Sequence, residues 1–421
     1  MTVISLVGAL VALVVAIGLI LRKVPPVYGM LLGALLGALA GGASLTETVG
    51  IMLKGAQGII PAVLRILAAG VLAGVLIESG AAKSIAESTV KKLGETRALL
   101  ALALATLILT MAGVFIDVAV ITVAPIALAI AQRAGLSQMA ILLAMIGGGK
   151  AGNMMSPNPN AIAASDAFKI PLTDVMLAGV LPAIFGLAVT YFLAKSLAKK
   201  GPMVERASDD ALDQTNLPSF FVSILAPLVA ISLLALRPMK IMTIDPMIAL
   251  PIGGFIGALA MGKIKEINHY ATVGLGKMSG VAIMLLGTGA LAGVIAQSEL
   301  KDVIISGLNS SGLPSYLLAP ISGVLMSGAT ASTTAGTAVA SQVFGPTIIA
   351  LGVSSLAASA MIHTGATVLD HLPHGSFFHA TGGSVHMSIK ERLALIPYET
   401  GVGFVMTVIS TLAFGVFHIW G

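Results

Sequence analysis

The sequence predicts an all-α polytopic membrane protein made of two inverted-topology repeats, each with a re-entrant helical hairpin and an unwound transmembrane helix. The first observation is composition: 57% of the 421 residues are hydrophobic and 10% are charged, whereas soluble domains have roughly 25% charged residues. The second is that apolar segments long enough to span a bilayer occur in the same order before and after a charged stretch at 195–218. The third is a polar interruption at corresponding positions of both halves.

The first apolar segment, 3–21, is interpreted as a transmembrane helix. Arg22 and Lys23 follow it and no basic residue precedes it, which is the reverse of the order in a secretory signal. The other apolar segments lie at 26–42, 61–79, 98–132, 138–163, 173–194, 219–236, 245–262, 281–297, 315–345, 347–386 and 399–420. The first repeat is therefore placed at 1–194, a cytoplasmic linker at 195–218 and the second repeat at 219–421.

Short matches between the halves indicate an internal repeat. The tetrapeptide Gly37–Ala40 recurs 220 positions later as Gly257–Ala260, and Leu72–Val75 recurs 219 positions later as Leu291–Val294. Each match is short, but the constant order and the slowly drifting offset favour a duplicated unit over chance.

Two long segments are expected to enter the membrane and leave on the same side. Ala98–Gln132 contains 35 residues and a single charge, Asp117. As one helix it would be about 52 Å long, well beyond a hydrocarbon core of about 30 Å. A turn at Gly113–Asp117 is therefore predicted, and Pro314–Gly345 is the counterpart with a polar tip at Ser327–Gly336. Two full crossings in each segment would satisfy the same lengths.

The distribution of basic residues sets the predicted orientation. With both termini outside, 16 of the 23 lysines and arginines fall on the cytoplasmic side, Arg392 among them, and 5 fall outside. Arg65 and Lys150 remain within the membrane. This asymmetry follows the positive-inside rule and predicts a multi-pass protein with periplasmic or extracellular termini.

The two polar interruptions are expected to form a binding site. Gly147–Asn160 reads GGGKAGNMMSPNPN and aligns with His363–Ser376, HTGATVLDHLPHGS, 216 positions later. Paired broken helices mark the substrate sites of secondary transporters. Their free amides and helix N-termini suit an anion near the middle of the membrane.

Asp117 and Asp370 are predicted to bind protons. Asp117 is the only acid of its hairpin segment, and Asp370 is the only acid of the second helix break. Loss of water favours the neutral form of a carboxylic acid, so such an acid can take up a proton near neutral pH. Structural roles remain open: Asp117 as a cap of the hairpin tip, and Asp370 as a partner of His371 or Lys150. Five of the seven histidines also surround the second break: His363, His371, His374, His379 and His386.

Three stretches resemble the gluconate permease (GntP) family of the ion transporter superfamily: GGGKAGNMMSPNPNAIAAS, SGATASTTAG and MIHTGATVLDHLPHGSFFHATGGSV followed by IKERLALIPYE. The resemblance implies a symporter of the bacterial inner membrane that couples protons to gluconate or to a related sugar acid or hydroxy monocarboxylate. It also implies a dimerising scaffold domain and a transport domain with an elevator motion. Carried over to this chain, the hairpin tips are Asp117 and Ser332–Thr334, and the unwound segments are Asn153–Asn160 and His363–His371.

The expected partners are a small organic anion, the lipid bilayer and a second copy of the chain. No nucleic acid, metal or cofactor is expected, and the coupling ion is a proton. The substrate carboxylate is expected to meet helix N-termini, the hydroxyl groups of Ser332–Thr334 and Lys150, with a snorkelling Lys150 as the alternative. The predicted substrate-binding residues are Lys150, Asn153, Ser156, Asn158, Asn160, Ser332, Thr333, Thr334, His363, Thr364 and His371.

Two other functions remain open from the sequence. The first is sodium-coupled anion transport or sodium/proton antiport on the same scaffold. The acid within Phe115–Val118, where the related divalent-anion symporters have Ser-Asn-Thr, favours protons. The second and more remote function is an intramembrane hydrolase. Since the sequence has no nucleophile elbow and no His-Glu-x-x-His motif, no enzymatic activity is expected.

Overall fold

The computed structural model describes residues 3–94, 97–204 and 217–419, and every regular element in these ranges is a helix. Part of the predicted linker, 205–216, lies outside the described residues. The helices of the first half are α1 (Leu6–Leu21), α2 (Pro26–Ala40), α3 (Leu45–Gly58), α4 (Ile60–Glu78), α5 (Ala81–Leu93), α6 (Ala98–Met111), α7 (Ile116–Ala134), α8 (Gln138–Met154), α9 (Pro159–Phe168), α10 (Leu172–Ala178) and α11 (Val180–Leu197). Those of the second half are α12 (Phe220–Ser223), α13 (Leu225–Ala235), α14 (Pro246–Ala260), α15 (Ile267–Ala296), α16 (Leu300–Ser311), α17 (Leu318–Thr330), α18 (Thr333–Ala350), α19 (Ser355–Gly365), α20 (Ser376–Ser384) and α21 (Ile389–Ser410).

Several helices match the hydrophobic thickness of a membrane. Within the described ranges, five helical stretches are at least 18 residues long and apolar enough to cross: Ile60–Glu78, Ile116–Ala134, Leu172–Leu197, Ile264–Ala296 and Ile389–Val416. The helices α1, α2, α6, α13 and α14 are also apolar but have only 10–17 residues. The predicted all-helical, multi-pass class is therefore confirmed.

Corresponding helix pairs of the two halves pack in the same way. On α2, a Cβ added at Gly37 would lie 2.4 Å from the Cβ of Ala12 on α1. On α14, a Cβ added at Gly257 would lie 2.3 Å from the Cβ of Ala226 on α13. Glycine therefore permits close helix approach at matched positions. This shared packing supports a duplicated unit, while the opposite orientation of the two halves in a membrane stays a prediction.

The helices form two packed groups. In the first group, α3 and α4 pack along α15, α14 packs against α4, and the pairs α1–α2 and α13–α14 complete the assembly. In the second group, α6–α9, α11 and α17–α21 pack around the ends of the broken helices. Contacts of α15 with α18 and of α4 with α9 join the two groups.

The two predicted hairpins correspond to the packed helix pairs α6–α7 and α17–α18. Their turns are at 112–115 and 331–332, and Ala331 adopts a left-handed φ of 46°. The helices α6 and α17 have 14 and 13 residues, which gives about 20 Å of helix against a core of about 30 Å. Because α7 is long enough to span a membrane by itself, re-entry stays a prediction.

Both helix breaks are present, but they are shorter than the polar stretches that predicted them. The first break is 155–158, between α8 and α9, and the second break is 366–375, between α19 and α20. Asn153 and His363 lie in the last turns of α8 and α19 instead of in unwound segments. The bounds expected for the two unwound segments, Asn153–Asn160 and His363–His371, were therefore wrong.

The glycines of GGGKAG, Gly147–Gly152, pack helices together and do not break one. A Cβ added at Gly148 would lie 2.0 Å from the carbonyl oxygen of Ala103 on α6. A Cβ added at Gly152 would lie 2.1 Å from the carbonyl oxygen of Leu107. Since these contacts leave no room for a side chain, glycine lets α8 lie directly on α6 and places Lys150 inside the protein.

Candidate functional site

A cavity of about 290 Å³ lies where the turns of both helix pairs meet both breaks. This volume is near the lower end of small-molecule sites, which measure roughly 300–1,000 Å³. Helices α2 and α15 of the first group supply an apolar wall. The lining residues are Pro26, Phe115, Ile116, Asp117, Asn153, Asn158, Asn160, Gly280, Val281, Met284, Ala331, Ser332, Thr333, Thr334, Asp370, Ser376 and Phe377.

Four helices, α7, α9, α18 and α20, begin at this cavity. The first amides of a helix have no intrahelical acceptor, and the helix dipole adds partial positive charge there. The hydroxyl of Ser332 accepts from the amide of Ala335 at 3.2 Å, and no group of the described residues accepts from the amides of Thr333 and Thr334, which are thus open to a ligand. None of the described residues that line the cavity is lysine or arginine. The helix N-termini are therefore its main attraction for an anion.

Three asparagines form the wall at the first break. The side-chain nitrogen Nδ2 of Asn158 donates to the side-chain and backbone oxygens of Asn153, both at 2.6 Å. Oδ1 of Asn158 accepts from the amides of Asn160 and Ala161 at 2.9 and 3.0 Å and so caps α9. Oδ1 of Asn160 accepts from the hydroxyl of Thr334 at 2.5 Å. The structure thus brings these three predicted residues together with the second turn, in fixed orientations.

Asp117 lies in the first turn of α7, with a half-buried side chain on the cavity wall. Its Oδ1 accepts from the amide of Val118 at 2.9 Å. No cation of the described ranges lies within ion-pair distance of it. Asp117 is thus an acid of the cavity without a counter-charge.

Asp370, in contrast, is surrounded by donors. Its Oδ1 accepts from Nζ of Lys150 at 2.7 Å, and its Oδ2 accepts from the hydroxyl of Thr333 at 2.6 Å. Lys150 is fully buried and also donates to the carbonyl of Thr367 at 2.7 Å. Lys150 therefore neutralises Asp370 and fixes the second break. In this conformation it does not line the cavity, so the geometry favours the pairing with Asp370 over contact with a substrate.

His371 lies behind Asp370, is fully buried and does not line the cavity. Its Nδ1 is 3.0 Å from Oδ1 of Asp370 and 3.1 Å from Nζ of Lys150. Its Nε2 is 3.2 Å from the carbonyl of Ile396 and 3.1 Å from the hydroxyl of Thr400. The imidazole therefore connects the second break to α21.

Sequence reasoning missed a buried ion pair beside His371. Arg392 and Glu399 on α21 pair with each other and are 1% and 0% exposed. Arg392 also donates to the carbonyl of Phe378 and the hydroxyl of Thr381, both at 3.2 Å. The charge count placed Arg392 in a loop on the cytoplasmic side, but it is a buried residue of α21, while the side of the membrane stays a prediction. Its seven-residue spacing from Glu399 was the available signal, because two helical turns place both side chains on one face.

Three other predicted residues do not line the cavity. Ser156 and His363 are buried, and Oγ of Ser156 and Nε2 of His363 have no hydrogen-bond partner among the described groups. The hydroxyl of Thr364 donates to the carbonyl of Ala360 at 2.9 Å, within its own helix.

Arg65, which the sequence analysis did not include in the site, joins the two helix groups. It donates from Nε to Oδ1 of Asp245 at 3.0 Å and from Nη2 to Oδ2 at 2.6 Å. It also pairs with Asp166 on α9. Asp245 caps α14 of the first group, whereas α9 belongs to the second, so this arginine bridges the boundary between them.

Proteins with similar sequences are transporters. The family model described as GntP family permease matches residues 1–417. The chain is 70% identical to an uncharacterized transporter of Haemophilus influenzae, over 99% of this chain and 100% of that protein. It is 25% identical to a high-affinity gluconate transporter of Escherichia coli, over 77% of this chain and 78% of that protein.

A solved structure has a similar fold. The YdaH transporter of Alcanivorax borkumensis matches with a TM-score of 0.64 and 16% identity, over 88% of each chain. At this identity the similarity concerns the fold alone.

Proposed function

The chain belongs to the GntP permease family, a family of multi-pass membrane transporters, and we propose that it carries gluconate or a related sugar acid together with protons. The observation that supports this most is the cavity, which four helix N-termini surround and both breaks line. We further propose an inner-membrane location with both termini outside, and a homodimeric assembly.

A monocarboxylate with several hydroxyl groups fits these walls. The open amides of Thr333 and Thr334 form a carboxylate site at the N-terminus of α18. The side chains of Asn153, Asn158 and Asn160 offer both donors and acceptors to hydroxyl groups. A second carboxylate or a phosphate on the ligand would add negative charge near Asp117. The substrate class proposed is therefore a singly charged, hydroxylated acid.

Asp117 is the proposed proton-binding residue. An ionised Asp117 repels an anion strongly because the cavity has a lower dielectric constant than water. Protonation removes this repulsion, so that the proton and the anion bind together. Asp370 fits this role less well, because its protonation would leave Lys150 buried without a counter-charge.

An elevator motion is the proposed transport step. The second group of helices contributes both turns and both breaks to the cavity, whereas α2 and α15 of the first group contribute Pro26, Gly280, Val281 and Met284. A largely apolar wall offers few hydrogen bonds to a moving partner. The second group can therefore slide past it with a bound anion, provided that the contact between Arg65 and Asp166 opens.

Uptake of labelled gluconate into proteoliposomes tests the proposal. An inward proton gradient should drive accumulation by the wild type, with or without sodium. Asp117→Asn should strongly lower gradient-driven accumulation but retain exchange of internal for external gluconate, since the amide mimics the protonated acid. Asp302→Asn, exposed on α16, is the matched control. Full accumulation by Asp117→Asn excludes Asp117 from coupling, and a strict need for sodium excludes proton coupling.

A further inference from the structure

The ionisable groups behind the cavity form a charge-balanced cluster. Lys150 reaches it from α8, Asp370 and His371 come from the second break, and Glu399 and Arg392 come from α21. All five side chains are at most 4% exposed. Two cations and two carboxylates cancel if the imidazole is neutral, and these are the charged groups of the described residues that contact it or its partners.

The hydrogen bonds around His371 are all satisfied when its imidazole is neutral. The three N–H groups of Lys150 have three acceptors: the carbonyl of Thr367, Oδ1 of Asp370 and Nδ1 of His371. Nδ1 then accepts, and Nε2 carries the proton towards the carbonyl of Ile396 and the hydroxyl of Thr400. With this tautomer every donor of Lys150 and of the imidazole is paired.

Nδ1 of His371 has a single lone pair, so a proton bound there replaces the N–H that Lys150 donates at 3.1 Å. From the proposed transport function, we propose that His371 is a second proton-binding residue, protonated together with Asp117 when the anion binds. A proton on Nδ1 would be donated to Oδ1 of Asp370 at 3.0 Å, with Oε2 of Glu399 at 3.9 Å. Lys150 loses its bond to Nδ1 and faces a second cation at 3.1 Å, but it keeps its bonds to Asp370 and Thr367, so no ion pair breaks.

A bound anion balances the positive charge that protonation of His371 adds. Protonation of His371 changes the net charge of the cluster from zero to plus one. Asp370 and Thr333, which are hydrogen-bonded to each other, line the cavity, so a carboxylate at the N-terminus of α18 lies next to this charge. Each ligand therefore favours the other, and the two binding equilibria are linked. Glu399 is a positioning residue in this scheme, because Arg392 holds its carboxylate beside the imidazole.

Counting the protons taken up on binding tests the inference. The heat of gluconate binding to purified protein, measured at pH 8 in buffers of different ionisation enthalpy, gives that number. We expect about two protons for the wild type and about one each for Asp117→Asn and His371→Gln. Thr400→Val removes one contact of Nε2 without changing an ionisable group, and it should retain about two protons.

The pH dependence of wild-type affinity provides a test that needs no variant. The dissociation constant should rise about a hundredfold per pH unit with two linked protons, and about tenfold with one. A tenfold slope, or an unchanged proton count in folded His371→Gln, overturns the inference and leaves the proposed function intact. Absence of binding by gluconate and related sugar acids overturns the proposed function and this inference with it.

Discussion

Replacing Lys150 by methionine distinguishes a structural lysine from a substrate-binding one. In the wild type, Lys150 donates at 2.7 Å to Asp370 and to the carbonyl of Thr367, and it is completely buried. Methionine fills similar space without a charge, so Asp370 loses its counter-ion inside the protein. Breaking one partner of a buried ion pair costs about 3–5 kcal/mol. We expect a loss of that size in the free energy of unfolding.

Denaturant unfolding in detergent micelles measures this loss. Two further variants test whether the loss comes from the ion pair. Lys54→Met removes an exposed lysine of α3 and should change the free energy of unfolding by less than about 0.5 kcal/mol. The double variant Lys150→Met/Asp370→Asn removes both charges and should regain a large part of the loss, because no charge remains buried alone.

The opposite pattern would refute this reasoning. If Lys150→Met unfolds like the wild type but binds gluconate far more weakly, then Lys150 meets the substrate in a conformation different from the one described. The double variant would in that case show no recovery of stability, because the ion pair contributes nothing to it.

Two further predictions concern packing and the boundary between the helix groups. Gly148→Ala should lower the free energy of unfolding by about 1–3 kcal/mol, because the new methyl group overlaps the carbonyl of Ala103. The control is Gly50→Ala, because a Cβ at Gly50 meets open space. In the same unfolding assay it should be neutral or stabilising by up to about 1 kcal/mol. Asp166→Asn removes the charge on α9 that pairs with Arg65. It should change the rate of gluconate exchange in proteoliposomes without changing the affinity of the protein for gluconate. An unchanged rate would exclude this contact from the motion.

The sequence predicts the chemistry of the cavity better than its boundaries. The residues Asn153, Asn158 and Asn160 were predicted because they lie in the polar interruption of the first half, and all three line the cavity. The unwound segment was expected at Asn153–Asn160, within a polar stretch that begins with the glycines at Gly147. A run of glycines has the same composition whether it breaks a helix or packs one closely, so composition does not distinguish these outcomes.

Whether a run of glycines breaks a helix or packs it closely depends on the contacts of the glycines with a neighbouring helix. Gly148 lies against Ala103 on a different helix, and this neighbour is distant in the sequence. Periodicity within α8 contains no information about α6. The error at Arg392 has a different cause, because its partner, Glu399, lies seven residues further along the same helix, and that spacing was a signal available in the sequence.

The cluster behind the cavity also explains why an alignment of the two halves is incomplete as a guide to the site. Lys150 belongs to the first half, but its acceptors, Thr367 and Asp370, belong to the second break. Asn160 of the first half likewise pairs with Thr334 of the second. These bonds join positions that are not equivalent under the repeat, and an unpaired partner would leave a buried polar group unsatisfied. Each half therefore depends on the other for its buried charges, and the site forms only when the two halves pack together.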